Sequence, residues 1–265
     1  MPNLKTGISV IIPTRNSSLT LPSLLESINR QSYTKYETIV VDNNSEDNTK
    51  EIAVRMGATV YNHGPERSAQ RNFGAAKARY DVLLFVDSDM ELSANLLEVC
   101  VKEIESFDAL CIRELIVYGK NYWAKARALE RSSYFMSLYF EAARCIRRKV
   151  FVAIGGYETD LTGLEDMGLQ ASLIRKGLSI GWIQVPIYHH EEYLGLREYL
   201  HKRIKYGKTD GHFAANYPEY WVKTRSPLAR LRCLVKFIVT EKKTGFLYLI
   251  PGLLFLRFLE LSLRR

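Results

Sequence analysis

The sequence predicts an α/β fold, a mainly parallel sheet flanked by helices, and three observations predict it. Short β-branched apolar runs alternate with segments of helical spacing along the first third of the chain. Those runs are apolar at consecutive positions, the pattern of strands buried on both faces. Three of them end in polar clusters, and open parallel sheets carry their ligands beyond such strand ends.

"GISVIIPT" is the first strand by length and composition. "LPSLLESINRQ" follows with Leu21, Leu24, Leu25 and Ile28 at helical spacing, and Pro22 is tolerated in a first turn. "YETIVVD" is the second strand. "SEDNTKEIAVRMG" is the second helix, with Ser45 as candidate N-cap and Gly57 as its stop. "ATVYNH", "SAQRNFGAAKA" and "DVLLFVD" continue as strand, helix and strand. Strand then helix, repeated, gives βαβ units. The second half is less regular. "SANLLEVCVKEIESF" reads as a helix capped by Ser93, and "ALCIRELIVYG" as a strand. A helix runs from about Glu165 to Lys176, "LSIGWI" and "VPIYHH" are two short strands, and "LREYLHKRIKYG" is a basic helix.

The chain of 265 residues is nearly half hydrophobic, so it can bury a sizeable core as one large domain or two small ones. Its net charge of +8 favours an anionic partner such as a nucleotide, a phosphate, a nucleic acid or an acidic membrane surface, and charge alone does not choose among them. Cys100, Cys111, Cys145 and Cys233 are widely spaced with no C-x-x-C pair, which fits reduced cysteines of a cytosolic protein and excludes a zinc ribbon. No long apolar segment precedes the first strand, so no signal peptide is expected.

The polar strand ends are Thr14-Arg15-Asn16, Asp42-Asn43-Asn44-Ser45 and Asp87-Ser88-Asp89. Asn and Asp also serve simply as turn and cap residues after strands. Two carboxylates one residue apart are different, because they repel unless a cation stands between them. No G-x-G-x-x-G follows the first strand, so a nicotinamide site lacks its phosphate loop.

"SVIIPTRN", "IVVDNNSEDNT", "RSAQRNFGAAKA", "LLFVDSD", "RRKVFVAIGGYETDL" and "GLEDMGL" stand in one order over about the first 190 residues. Together they resemble the inverting family-2 glycosyltransferases, whose GT-A fold is the Rossmann-like nucleotide-diphospho-sugar transferase fold. The resemblance implies a mixed, mainly parallel sheet and transfer of a sugar from a nucleotide-sugar, a UDP-sugar in the first instance. It implies Mg²⁺ or Mn²⁺ as cofactor, and a hydroxyl of a glycan or lipid-linked acceptor as second substrate. It makes Asp89 the metal ligand, with Asp87 and Ser88 beside it in the donor seat. Asp42 would accept from the base, in a pocket of Pro13, Thr14 and Arg15. Arg15 stands where the family commonly has an aromatic, and Ser17 where it commonly has Glu. Arg67 or Arg71 would reach the base or diphosphate. Asp166 would be the general base, Glu165 would orient it or the acceptor, and His189 would be a further metal contact. A carboxylate opposite the leaving group is what an inverting transfer to a hydroxyl requires. "HKRIKYGK" places Lys202, Arg203 and Lys205 as a basic lid over the diphosphate.

Residues 1–225 are thus expected to form the catalytic domain and 226–265 a helical tail. The uncharged run from Thr244 to Leu256 is shorter than the ~20 apolar residues of a membrane span. Leu and Phe interleaved with Lys and Arg predict an amphipathic anchor or a re-entrant helical hairpin at the cytosolic face of the membrane, with a helix packed on the catalytic domain as the alternative. Besides a nucleotidyltransferase, which would want a Gly-rich loop after the first strand where "PTRNSS" has the Arg but no glycine, two other readings compete. One shares the fold but donates to a polyprenyl phosphate, an acceptor already ionised that needs no base. The other is a non-catalytic basic protein binding membrane or nucleic acid, which leaves the carboxylates at the strand tip without a purpose; the leading reading needs no nucleic acid.

Overall fold

The computed structural model describes residues 6–117, 121–190, 195–240 and 244–262. In chain order the first half is β1 (Ile8–Thr14), α1 (Leu21–Asn29), β2 (Tyr36–Asp42), α2 (Thr49–Arg55), β3 (Thr59–Asn62), α3 (Arg67–Lys77), β4 (Val82–Phe85), β5 (Met90–Leu92) and α4 (Leu96–Glu103). The second half is β6 (Ala109–Val117), α5 (Tyr122–Ser133), β7 (Ala143–Arg147), α6 (Arg148–Ala153), α7 (Glu165–Arg175), β8 (Ile180–His190), α8 (Leu196–Gly207), α9 (Asp210–Asn216), α10 (Pro218–Arg225), α11 (Pro227–Thr240) and α12 (Ile250–Ser262). A 3₁₀ turn, Thr244–Leu249, precedes α12.

The strands form one mixed sheet in the order β3-β2-β1-β4-β7-β6-β8-β5. Strands β3, β2, β1 and β4 are parallel, as are β6 and β8, while β7 runs antiparallel to both its neighbours. Both faces are covered. Ile8, Val10 and Ile12 of β1 pack with Leu24 and Ile28 of α1 and with Leu97 of α4. The alternate residue Ile11 packs on the other face, with Val41, Ala75 of α3 and Leu169 of α7. Strand periodicity delivers successive side chains to opposite faces, so a doubly covered strand must be apolar throughout. All seven residues of β1 are buried.

Helix α3 lies close on the sheet. A Cβ at Gly74 would stand 2.6 Å from Ile11 Cγ2, so only glycine permits the approach. One turn earlier, buried Gln70 donates to the carbonyls of Thr14 (2.9 Å) and Val41 (2.6 Å), which ties α3 to the ends of β1 and β2.

Several local expectations are corrected. "LSIGWI" and "VPIYHH" are one strand, β8: its pairing with β6 runs to Ile183, passes an irregularity and resumes at Ile187, with no turn between. Ser45 does not cap α2, whose N-cap is Asn48; its hydroxyl is bound to Asp42 instead. Ser93 does not cap α4, whose N-cap is Asn95; its hydroxyl donates to the Pro186 carbonyl. Strands β5 and β7 and helices α5 and α6 were not expected.

The tail packs back on α5. Leu234 of α11 and Leu249, Leu253 and Leu256 around α12 are buried against Ala126 and Leu129. Buried Glu130 of α5 fixes this contact: its Oε1 accepts from Arg230 Nη1 (3.2 Å) and Arg257 Nε (2.7 Å), and Tyr134 donates its hydroxyl to the same oxygen. Burial alone would raise the Glu130 carboxyl, but Arg257 and Arg230 outweigh it and hold the group down at about 2. Among the described residues no helix is long and apolar enough to cross a membrane.

A carboxyl whose pKa is depressed in the fold stabilises it above the unfolded value and loses that contribution as pH falls through the folded value. Between the ordinary 4.5 and about 2, the Glu130 clamp is therefore expected to lose about 3 kcal/mol. Unfolding free energy followed against pH should show this drop in the wild type. Glu130→Gln should be less stable at neutrality and should lose less stability across that window than the wild type; parallel curves would contradict the clamp.

Candidate active site

The parallel strands bring their carboxyl ends to one edge. Thr14 stands in register with Asp42, and Val86 donates its N–H to the Ile11 carbonyl (3.1 Å). Asp42 is fully buried. Its Oδ1 accepts from Thr14 Oγ1 (2.9 Å) and Ser45 Oγ (2.5 Å), and its Oδ2 from the Ser45 N–H (2.8 Å). One lone pair on Oδ2 is left. Pro13 and Thr14 are buried beside it, and Arg15 is exposed at the rim. Ser88 donates its hydroxyl to Ser17 Oγ (3.0 Å), which joins the tip after β4 to the loop after β1.

Arg71 organises the middle of the site. Its side chain is wholly buried, and its fork reaches Asp87 Oδ1 (Nη2, 2.6 Å) and Asp166 Oδ1 (Nη1, 3.1 Å). Glu165 Oε1 stands 3.7 Å from Nη1, and the guanidinium lies 5.0 Å from the Tyr157 ring centre. Both terminal nitrogens of Arg71 are thus engaged by carboxylates of the protein, while its buried Nε has no hydrogen-bond partner among the described residues. Arg67 turns the same way and pairs with Glu165 Oε1 (2.7 Å). A carboxylate beside a planar fork is held more strongly than beside an ammonium.

A second ion pair continues from Asp87. Arg144 of β7 stands 3.6 Å from Asp87 Oδ2 and binds Glu114 of β6 through Nε and Nη2, both at 2.6 Å. Arg131 of α5 pairs with the other oxygen of Glu114 (2.5 Å). Burial would raise both carboxyls. For Asp87 the charges of Arg71 and Arg144 win, and for Glu114 those of Arg144 and Arg131, so both stay ionised well below the usual range.

His189 closes the chain of charges. Its Nε2 lies 3.4 Å from Asp89 Oδ2 and its Nδ1 3.4 Å from Glu114 Oε2. Burial lowers the imidazole pKa, but hydrogen bonds to Asp89 and Glu114 raise it further, to about 9. His190, the next residue, stands 3.5 Å from Glu91. Among the described residues no group of three or more His, Cys, Asp or Glu is placed to hold a metal alone. A carboxylate and an imidazole fit a divalent cation that takes its other ligands from substrate phosphate and water. Glu114 on Nδ1 leaves Nε2 as the nitrogen that faces Asp89.

The acidic pair begins α7. Glu165 is buried, clamped by Arg67 and Arg71, and its Oε2 has no hydrogen-bond partner among the described residues. Burial, helped by the charge of Asp166, raises its pKa. Asp166 is a third exposed at its side chain. The turn before α7 is tied to α3 reciprocally: Asn72 donates to the Tyr157 carbonyl (2.8 Å) and accepts from its N–H (2.9 Å). The side chains of Lys202, Arg203 and Lys205 lie outside the described residues. Glu114, Arg131 and Arg144 were missed as site residues; for Glu114 of β6 and Arg144 of β7 the available signal was a charged residue among the apolar residues of a strand, and Arg131 on α5 carried none.

The sequence profile of Glycosyl transferase family 2 matches residues 9–158, more than half of the chain, and the chain belongs to that family. Over 95 residues it is 44% identical to 4,4'-diaponeurosporenoate glycosyltransferase of Staphylococcus haemolyticus, a match covering 33% of this chain and 25% of that protein. The chain thus spans about a quarter of that relative. Among solved structures, the mannosyltransferase PcManGT of Pyrobaculum calidifontis, in complex with GDP-Man and Mn²⁺, superposes with a TM-score of 0.62 at 20% identity, covering 98% of this chain and 83% of that one. TarS 1-349 of S. aureus in complex with UDP gives 0.60 at 18% identity, covering 91% and 74%. At these identities the likeness is one of fold, and the fold is the GT-A type that the motifs imply.

Proposed function

We propose that this chain transfers a sugar from a nucleotide-sugar, a UDP-sugar, to a hydroxyl of a glycan or lipid-linked acceptor, with inversion at the anomeric carbon. One observation carries the reading. A single buried guanidinium, Arg71, joins the carboxylate tip after β4 to the acidic pair of α7. A donor seat and a base for the acceptor therefore stand on either side of one fixed group.

In the transfer, the acceptor oxygen bonds to the anomeric carbon as the bond from that carbon to the diphosphate oxygen breaks. The electron pair leaves with the nucleoside diphosphate, and the hydroxyl proton passes to Asp166. Asp166 suits this better than Glu165 because its side chain is 34% exposed against 4%. Its Oδ1 takes the Arg71 hydrogen bond, which leaves Oδ2 for the acceptor. Glu165 stays clamped and orients the helix end. Asp89 and His189 would hold Mg²⁺ or Mn²⁺, which when bound neutralises charge on the leaving diphosphate. Asp87 and Ser88 shape the seat around it. The remaining lone pair of Asp42 accepts from the base N–H, between Pro13, Thr14 and the Arg15 plane.

Asp166→Asn should lower transfer from a UDP-sugar panel to a membrane extract by about 10²–10⁴-fold, with UDP affinity unchanged. Full turnover in that variant would favour a polyprenyl phosphate acceptor, which carries no proton to remove.

The tail brings the site to an anionic membrane surface. Leu228, Leu231, Val235 and Val239 form one exposed stripe on α11, 52–70% accessible. Arg232 and Lys236 line the same groove. Apolar residues flanked by cations complement anionic headgroups. The protein should float with phosphatidylglycerol vesicles and not with phosphatidylcholine vesicles, and Leu231→Glu with Val235→Glu should abolish flotation. Equal flotation of the double variant would contradict this contact.

A further inference from the structure

Beside Asp166 lies a cavity of ≈100 Å³ that the donor reading leaves unassigned. Its lining includes Asp166, Glu141, Arg131, Arg144, Tyr134 and Phe140. Ser88, Asp89 and His189 do not line it. Glu114, which pairs with His189, and Arg144, which pairs with Asp87, do line it, so the cavity holds Asp166 in its wall and is divided from the diphosphate seat by these two side chains.

Its chemistry is specific. Glu141, in the turn between α5 and β7, has a buried Oε2 with no hydrogen-bond partner among the described residues. A buried polar atom without a partner costs about 1–3 kcal/mol, and a ligand hydroxyl would remove that cost. Burial first, and the nearby charge of Glu114 second, push the Glu141 carboxyl up to about 8, so it holds its proton at neutral pH. The cations of the wall are already committed: Arg131 and Arg144 both pair with Glu114. Tyr134 and Phe140 stack with ring centres 4.6 Å apart and supply an aromatic wall. A protonated carboxyl, two neutralised cations and an aromatic wall suit an uncharged, hydroxyl-rich group and offer no free charge to a phosphate or carboxylate.

We propose that this cavity is an acceptor subsite, that it takes the hydroxyl-bearing edge of an uncharged sugar, and that Glu141 hydrogen-bonds one of its hydroxyls. The inference rests on Asp166 as the base of the proposed transfer. The volume is below the roughly 300–1,000 Å³ of a pocket that holds a whole ligand, so one edge of a ring enters while the attacking hydroxyl remains at Asp166. A sugar hydroxyl also belongs to the donor, and the test separates the two sources.

The probes are the methyl glycosides of glucose, galactose and mannose and their 6-phosphates, followed by saturation-transfer NMR with and without UDP and Mn²⁺. UDP binding is measured separately by calorimetry. At least one neutral glycoside is expected to bind the wild type, and the 6-phosphates to bind more weakly. Glu141→Leu should weaken glycoside binding by about tenfold or more and leave UDP affinity unchanged. Glu141→Gln, neutral and able to donate, should retain binding, which separates a lost contact from a lost fold. No glycoside binding beside intact UDP binding would overturn the subsite. So would equal binding by Glu141→Leu, preference for the phosphates, or a parallel loss of UDP affinity, which would give the cavity to the donor. Glycoside binding that depends on Glu141 without any UDP binding would instead keep the subsite and sink the donor reading.

Discussion

A guanidinium with no access to water must find its charge balance within the protein, and the placement of Arg71 imposes that demand on this sheet edge. Desolvating a cation is costly unless its partners are close and well aligned. Arg71 meets this with Asp87 from the end of β4 and Asp166 from the start of α7. Those residues are far apart in sequence and belong to the two halves of the fold. The pairing therefore does more than hold a helix. It sets where the strand tip ends, where α7 begins, and which carboxylate of the acidic pair is left accessible. Gly74 and Gln70 on the same helix fix its height and its register over β1 and β2, so the fork cannot drift.

From this centre the charges alternate outward. Asp87 meets Arg144, Arg144 meets Glu114, and Glu114 meets His189, which faces Asp89. Asp87 and Glu114 are kept ionised by these cations rather than by solvent. Such a network resists rearrangement, because removing one partner strands another. It also sorts the carboxylates by task. Asp87 and Glu114 are spent on structure, Asp89 and Asp166 keep exposed oxygens, and Glu141, with no cation assigned to it, retains its proton.

The first half of the fold was legible because its signals are local. Apolar runs of strand length, helical spacing at Leu21, Leu24, Leu25 and Ile28, and the Asp87-Ser88-Asp89 tip can all be read without knowing what lies beside them. Ser45 and Ser93 were misread as helix caps because a cap and a cross-link use the same hydroxyl, and only tertiary contacts decide between Asp42 or Pro186 and a helix end. Helix α5 carries its buried Glu130 on the face that meets the tail, so its apolar stripe is interrupted by a charge. Strand β7 is short and holds Arg144 among apolar residues, which conceals both strand and site. Arg71 looked like any arginine on a helix face; its burial is a property of β4 and α7 together.

We propose that the tip after β4 is a metal-assisted seat for a nucleoside diphosphate. Calorimetry of UDP and GDP binding, with and without Mn²⁺, on the wild type and on Asp89→Ala, tests it most directly. UDP binding is expected to require both the cation and Asp89. GDP preference under the same dependence would keep the seat and change the base. Nucleotide binding indifferent to Mn²⁺ and to Asp89, or no binding at all, would contradict it.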